Sequence, residues 1–219
     1  MGVFLIVAAL ITWSARASHP SPAATAAPSH VAQYLSMLAL LWGMVWFALA
    51  GMRGRGVSLR EIIGGRWRSV TDVLVTLAWA IGFLLVARGV LFVVKAGLAA
   101  LGQGTAGDDL RTLAFLGPHG FVEYALWLLL SLSAGFCEEV VFRGYLQRQF
   151  AALTRNRSTG LVISAVIFGI GHAYQGWRSA TVIFVFGLLF GLLAHVTRTL
   201  RPGIVAHALQ DVLAGLVRF

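Results

Sequence analysis

The stretch VTDVLVTLAWAIGFLLVARGVLFVV, residues 70–94, contains no charged side chain except Asp72 and Arg88. About 20 mostly apolar residues in a helix cross the ~30 Å hydrocarbon layer of a bilayer. This stretch therefore reads as a membrane span, and the rest of the chain repeats its character. Residues 31–51 form a second clear run. Shorter apolar runs follow at 121–136, 160–176, 179–197 and 203–217. Residues 137–150 continue helically from the third of these, with Gly135 as an expected break. Composition agrees: 58% of residues are hydrophobic and only 11% charged, against about 25% charged in an average soluble domain. The mean hydropathy is +0.83. The expected fold is all-α, a polytopic transmembrane bundle of about six to eight helices. It divides into an N-terminal apolar segment with linker (1–30), N-terminal transmembrane helices with connecting loops (31–119) and a C-terminal core (120–219).

The net charge of +9 raises the question of nucleic acid, and the placement of the charge answers it. Arg53, Arg55, Arg60, Arg66 and Arg68 fall in one interval between spans. Arg148, Arg155 and Arg157 fall in a second, and Arg198 and Arg201 in a third. Short basic clusters between apolar runs follow the positive-inside rule rather than a phosphate-tracking face. With 53–69, 148–158 and 198–202 on the cytoplasmic side, and Asp108 and Asp109 opposite, the spans alternate consistently. The bilayer is the expected partner, nucleic acid is not, and the charge pattern is that of a bacterial inner (plasma) membrane protein.

Three local features need separate readings. Residues 3–13 form an apolar run of signal-peptide length, and Ala15-Arg16-Ala17 resembles a cleavage site, but no Lys or Arg precedes the run. A signal anchor is an equal reading, followed by a Pro-, Ser- and Ala-rich linker at 18–30. Residues 102–107, GQGTAG, match G-x-G-x-x-G but follow a membrane-length helix rather than a strand, so a loop is the better reading. The single cysteine, Cys137, excludes a disulfide framework and reads as a small buried hydrophobe.

Ionisable groups inside a span are costly and mark function. In the C-terminal half they form three groups. In CEEVVFRGYLQ, residues 137–147, Glu139 and Arg143 stand i,i+4 and can pair. Glu138 is turned about 100° away by the helical period and is free to act as a general base. In FGIGH, residues 168–172, Phe168 and His172 share a face with Ser164 one turn earlier. In HALQD, residues 207–211, His207 and Asp211 again stand i,i+4. Each group alone also reads as a structural hydrogen bond or helix-end charge network. Together, three helices bringing carboxylates and imidazoles into an apolar bundle are best satisfied by one shared cavity. His195 matches no group and reads as structural.

The order E-E-x-x-x-R, F-x-x-x-H, H-x-x-x-[N/D] resembles the CAAX protease and bacteriocin-processing family of membrane peptidases. The motifs are met by Glu138, Glu139 and Arg143, by Phe168 and His172, and by His207 and Asp211, within residues 120–219. The resemblance implies an intramembrane endopeptidase acting on a membrane-associated protein or peptide. Glu138 would activate water with His172, while His207 and Asp211 would hold the oxyanion. Glu139, Arg143 and Phe168 would support the site. Many members carry asparagine where this chain has Asp211, and an ionised carboxylate cannot donate a hydrogen bond. Two chemistries are open. In the preferred one no cofactor is required. In the other, zinc is held by Glu138, His172 and His207, which would leave only the Arg143-paired Glu139 as base. Rival classes are a non-catalytic membrane scaffold or immunity protein, and a proton-coupled transporter.

One expectation strains this picture. At 1.5 Å per residue, His172 would lie about 20 Å from the basic end of its span and His207 only about 6 Å from it.

Overall fold

The computed structural model describes residues 29–54, 56–102 and 117–216. Nearly all of the signal-like segment and linker, most of the GQGTAG motif, and Asp108 and Asp109 lie outside the described residues. Those described are helical, with no strand among them. In chain order the helices are α1 (Val31–Arg53), α2 (Leu59–Ile63), α3 (Val70–Ala100) and α4 (Gly120–Glu138). A π-helical segment (Glu139–Leu146) leads into α5 (Gln147–Thr154). Then come α6 (Arg157–Gly171), a 3₁₀ turn (Ala173–Gln175), α7 (Trp177–Thr197) and α8 (Arg201–Leu216). The all-α bundle expected from the apolar runs is the fold observed.

Among the described residues four helices are long and apolar enough to cross a membrane: Val31–Arg53, Val70–Ala100, Gly120–Thr154 and Trp177–Thr197. At the expected spans 160–176 and 203–217 stand the helices Arg157–Gly171 (15 residues) and Arg201–Leu216 (16 residues), both under the about 20 residues that cross a bilayer. Hydropathy overran the first because residues 172–176, His-Ala-Tyr-Gln-Gly, carry no Asp, Glu, Lys or Arg. The chain leaves the helix at His172 (φ −104°, ψ 8°) and turns at Gly176, whose φ of 93° lies in the left-handed region. Gly135 does not break its helix. Residues 120–154 run on as one continuous element, and Gly135 serves as a contact point. A Cβ there would stand 2.6 Å from the backbone nitrogen of Ala208, so the missing side chain lets α4 and α8 touch backbone to backbone. Of the expected G-x-x-x-G step of α7, Gly187 faces the backbone of Ala165 in α6, and Gly191 faces the side chains of Leu161 and Gln147.

The two ends of the bundle are fastened differently. At one end the three basic segments meet. Thr199 Oγ1 donates to Ile63 O (2.6 Å), Arg201 Nη2 to Gly64 O (2.7 Å), and Leu200 N to Ile63 O (3.3 Å). Helix α2 is held there by a reciprocal cap, with Ser58 Oγ accepting from Glu61 N and Glu61 Oε2 from Ser58 N. At the other end one buried carboxylate starts two helices. Glu123 accepts from His30 N (2.9 Å), before α1, and from His119 N (2.8 Å), before α4. These are donors that a helix start leaves without partners of its own.

Substituting Gly135→Ala should destabilise the detergent-solubilised protein by about 1–3 kcal/mol, because the new methyl overpacks a backbone contact. Gly43→Ala, mid-helix in α1 with no neighbour within 4 Å of its Cβ, should leave stability unchanged or raise it by up to about 1 kcal/mol. Denaturant unfolding of the two variants side by side measures the difference.

Candidate active site

The cluster begins with a local departure from the α-helix. From Glu139 to Leu146 the chain winds as a π-helix, and Gln147 N–H closes on Phe142 O, five residues back. Phe142 O also accepts from Ser164 Oγ at 2.8 Å. Ser164 is thus a tie between α6 and the widened turn, rather than a member of the reactive group.

Glu139 is fully buried. Its Oε1 accepts from Arg143 Nη1 (2.8 Å), as the i,i+4 spacing predicts, and also from His207 Nδ1 (3.1 Å). Arg143 donates further to Gly187 O (3.2 Å). Its guanidinium lies between two aromatic faces, 4.6 Å from the centroid of Phe168 and 5.0 Å from that of Phe190, an arrangement that favours a cation shielded from water. The role expected for Glu139, a brace for its own helix, is therefore too narrow: it also orients the imidazole of α8. Helix α8 comes this close because Gly203 has no side chain. A Cβ there would stand 3.0 Å from Glu139 Oε2.

The second nitrogen of His207 faces the remaining carboxylates. Its Nε2 is 3.6 Å from Glu138 Oε2 and 3.8 Å from Asp211 Oδ2. Both separations exceed a hydrogen bond, so Nε2 is committed to neither group. The 100° rotation expected between Glu138 and Glu139 thus turns them to opposite nitrogens of the same ring rather than to unrelated surroundings. Glu138 and Asp211 keep 14% and 33% of their side-chain surface accessible, against none for Glu139. Trp127 Nε1 donates to Asp211 O (3.0 Å), which fixes this turn of α8 against α4.

His172 joins through Phe168. The phenyl ring stands edge-on to both imidazoles, with centroids 4.8 Å from His172 and 6.3 Å from His207. The depth gap expected from span boundaries is bridged by this one side chain. Direct pairing of His172 with Glu138 is not seen: among the described residues His172 makes no ion pair, and the carboxylates close to an imidazole are those around His207. His172 Nδ1 is bonded to Phe168 O at 2.9 Å. A carbonyl only accepts, so the Nδ1 carries a proton, and Nε2 is the nitrogen left to face the site.

Three contributors were not read from the sequence. Phe190 stacks on His207 at 5.0 Å and 28°, and Gly203 admits Glu139. Tyr174 stacks on His172 at 6.2 Å and 27° and lies within electrostatic reach of Glu138 and Asp211. Only Tyr174 carried a signal, a polar aromatic two residues past the histidine. His195 lies apart from the cluster in the last turn of α7, and Cys137 is a buried thiol beside it.

The zinc alternative needs Glu138, His172 and His207 on one ion. Among the described residues no group of three or more His, Cys, Asp or Glu side chains is disposed to hold a metal ion. Glu138, His172 and His207 are not gathered into such a group here.

Residues 120–213 match the family model for the Rce1-like group, described as type II CAAX prenyl endopeptidase Rce1-like. The resemblance read from the three motifs is borne out over this segment. No curated protein and no solved structure matches the chain. Apolar helices of membrane-spanning length, together with this match, make the chain an integral membrane protein whose C-terminal segment is similar to the Rce1-like group.

Removing Arg143 leaves Glu139 as an uncompensated buried charge. Arg143→Met should destabilise the protein by about 3–5 kcal/mol, and adding Glu139→Leu should restore a substantial part of that loss. Unfolding of wild type, both single variants and the double variant forms the cycle that measures it.

Proposed function

We propose that the protein is a metal-independent intramembrane endopeptidase that hydrolyses a peptide bond in a membrane-associated protein or peptide. The observation that carries this reading is the convergence of Glu138, Glu139 and Asp211 on His207 inside the segment that matches the peptidase family. A bacterial inner membrane is the setting that the charge pattern favours, with the basic end cytoplasmic.

The roles follow from which groups are already committed. Glu139 is held by Arg143 and His207 and serves as the orienting residue. Glu138 is the partly accessible glutamate of the pair and takes a proton from water. The hydroxide adds to the scissile carbonyl, whose C=O electron pair moves onto oxygen as the tetrahedral oxyanion forms. His207 acts as the imidazolium, donating Nδ1–H to Glu139 and directing its Nε2–H toward that oxyanion. When the intermediate collapses, the C–N bond breaks and its electron pair goes to nitrogen. The proton held by Glu138 passes to the leaving amine, and His172 Nε2 assists these transfers. Asp211 shapes the charge around His207 but, while ionised, donates nothing. An Rce1-like match does not require a prenylated substrate here, and maturation of a small membrane peptide fits the same chemistry.

Purified protein set against a library of membrane peptides, with and without chelator, tests this reading. Glu138→Gln should lower turnover by about 10²–10⁴-fold, the usual share of a general base, with the fold retained. Asp211→Asn should keep activity at or above wild type, since the amide donates a hydrogen bond that the carboxylate cannot. Equal cleavage by wild type and Glu138→Gln would overturn the assignment of the base. Loss on chelation, restored by zinc, would overturn metal independence.

A further inference from the structure

The basic end of the bundle contains a cleft of about 820 Å³ between the α5 region, α6 and α7. Arg148, Arg157, Arg198 and His195 line it toward the surface, and Arg143 lies at its inner end. No acidic side chain is among the lining residues. Arg143 is occupied by Glu139. The other three arginines form no ion pair with a carboxylate among the described residues. Arg148 makes only a long 3.5 Å contact to Ile62 O.

Basic residues at this end are expected from the positive-inside rule, but that rule asks only for exposed cations in loops. Here they come from three helical elements and face one concavity with small or apolar residues such as Ala151, Ala194 and Leu200 in its walls. Arg157 is the first residue of α6, so the positive end of that helix dipole adds to the field. Gathering guanidinium groups without a counter-charge is unfavourable unless an anion is shared, and planar guanidinium groups match phosphate oxygens in bidentate fashion. The cleft opens at the end where the inter-span segments meet, which is headgroup level in a bilayer. Basic pockets of this kind between transmembrane helices take anionic headgroups.

We infer that this cleft is a binding site for a phosphate group, carried in the membrane by the headgroup of an anionic phospholipid. Arg148, Arg157 and Arg198 are its principal ligands. The inference is independent of the peptidase reading, because it concerns binding and its test needs no substrate.

The full chain, purified in neutral detergent, is titrated with short-chain phosphatidylglycerol, short-chain phosphatidylcholine or inorganic phosphate, and its unfolding midpoint is followed. Phosphatidylglycerol at saturation should raise the midpoint by about 5–10 °C more than phosphatidylcholine. Arg157→Gln with Arg198→Gln should abolish most of that increment. Arg53→Gln with Arg60→Gln, exposed cations outside the cleft, should retain it. Arg148→Gln alone, followed by lipid retention in native mass spectrometry, gives a second reading if the double variant folds poorly. A response to lipid alone assigns the headgroup, and an equal response to inorganic phosphate keeps the phosphate site but assigns it to the free anion. Equal midpoints with the two lipids, or equal loss in the Arg53/Arg60 variant, overturn the inference.

Discussion

A carboxylate with no accessible surface, Glu139, sets the terms for everything around it. A buried ion is tolerated only when its partners are close and well oriented. In a bilayer there is no alternative in water. Arg143, one turn along, supplies the charge at 2.8 Å, and His207 supplies a second donor at 3.1 Å. Each partner then makes its own demand. The guanidinium is sandwiched by Phe168 and Phe190, and the imidazole stacks on Phe190. Two phenylalanines from α6 and α7 and one histidine from α8 are thereby drawn to a single residue at the end of α4. A buried ion pair is weak grounds for added stability, but this one holds four elements in one arrangement.

The π-helical turn belongs to the same arrangement. It starts at Glu139, immediately after Glu138, where the two carboxylates reach opposite nitrogens of His207. Widening a helix weakens its own hydrogen-bond ladder, and the Ser164 hydroxyl gives Phe142 O a second donor from outside. Segments of this type recur at functional sites. Here the departure separates the committed carboxylate from the accessible one by a single residue.

Much of this was legible in the sequence. The apolar runs predicted the bundle, the basic clusters predicted which loops share an end, and the Glu139–Arg143 spacing predicted their pair. These are local or additive signals. The remainder depends on residues far apart in the chain. Glu139 and His207 are 68 positions apart, and no periodicity links them. Hydropathy alone did not find the end of α6: residues 172–176 carry no Asp, Glu, Lys or Arg, and the turn is made by the backbone at His172 and Gly176. The π turn is invisible to patterning because apolar spacing alone does not distinguish it from the α-helix on either side. Phe168 was legible as a motif member, yet its work as the wall shared by Arg143, His172 and His207 emerges only when three helices pack.

The histidines then show why the division of labour runs as it does. Each has its Nδ1 tied: His172 to the carbonyl of Phe168, His207 to the carboxylate of Glu139. Fixing one ring nitrogen aims the other, which accepts a proton in a neutral ring and donates one in the imidazolium. Both rings therefore offer Nε2, from either side of the Phe168 ring. They differ in what surrounds that atom. The Nε2 of His207 has two carboxylates within 4 Å, whereas His172 has no carboxylate partner among the described residues. A nitrogen between carboxylates suits a hydrogen-bond donor, and one without them suits a proton acceptor. Exchanging the two histidines between these roles would place the donor where nothing supports its charge. The asymmetry thus resides in the carboxylates, and it traces back to Glu139 being buried while Glu138, its neighbour in sequence, is not.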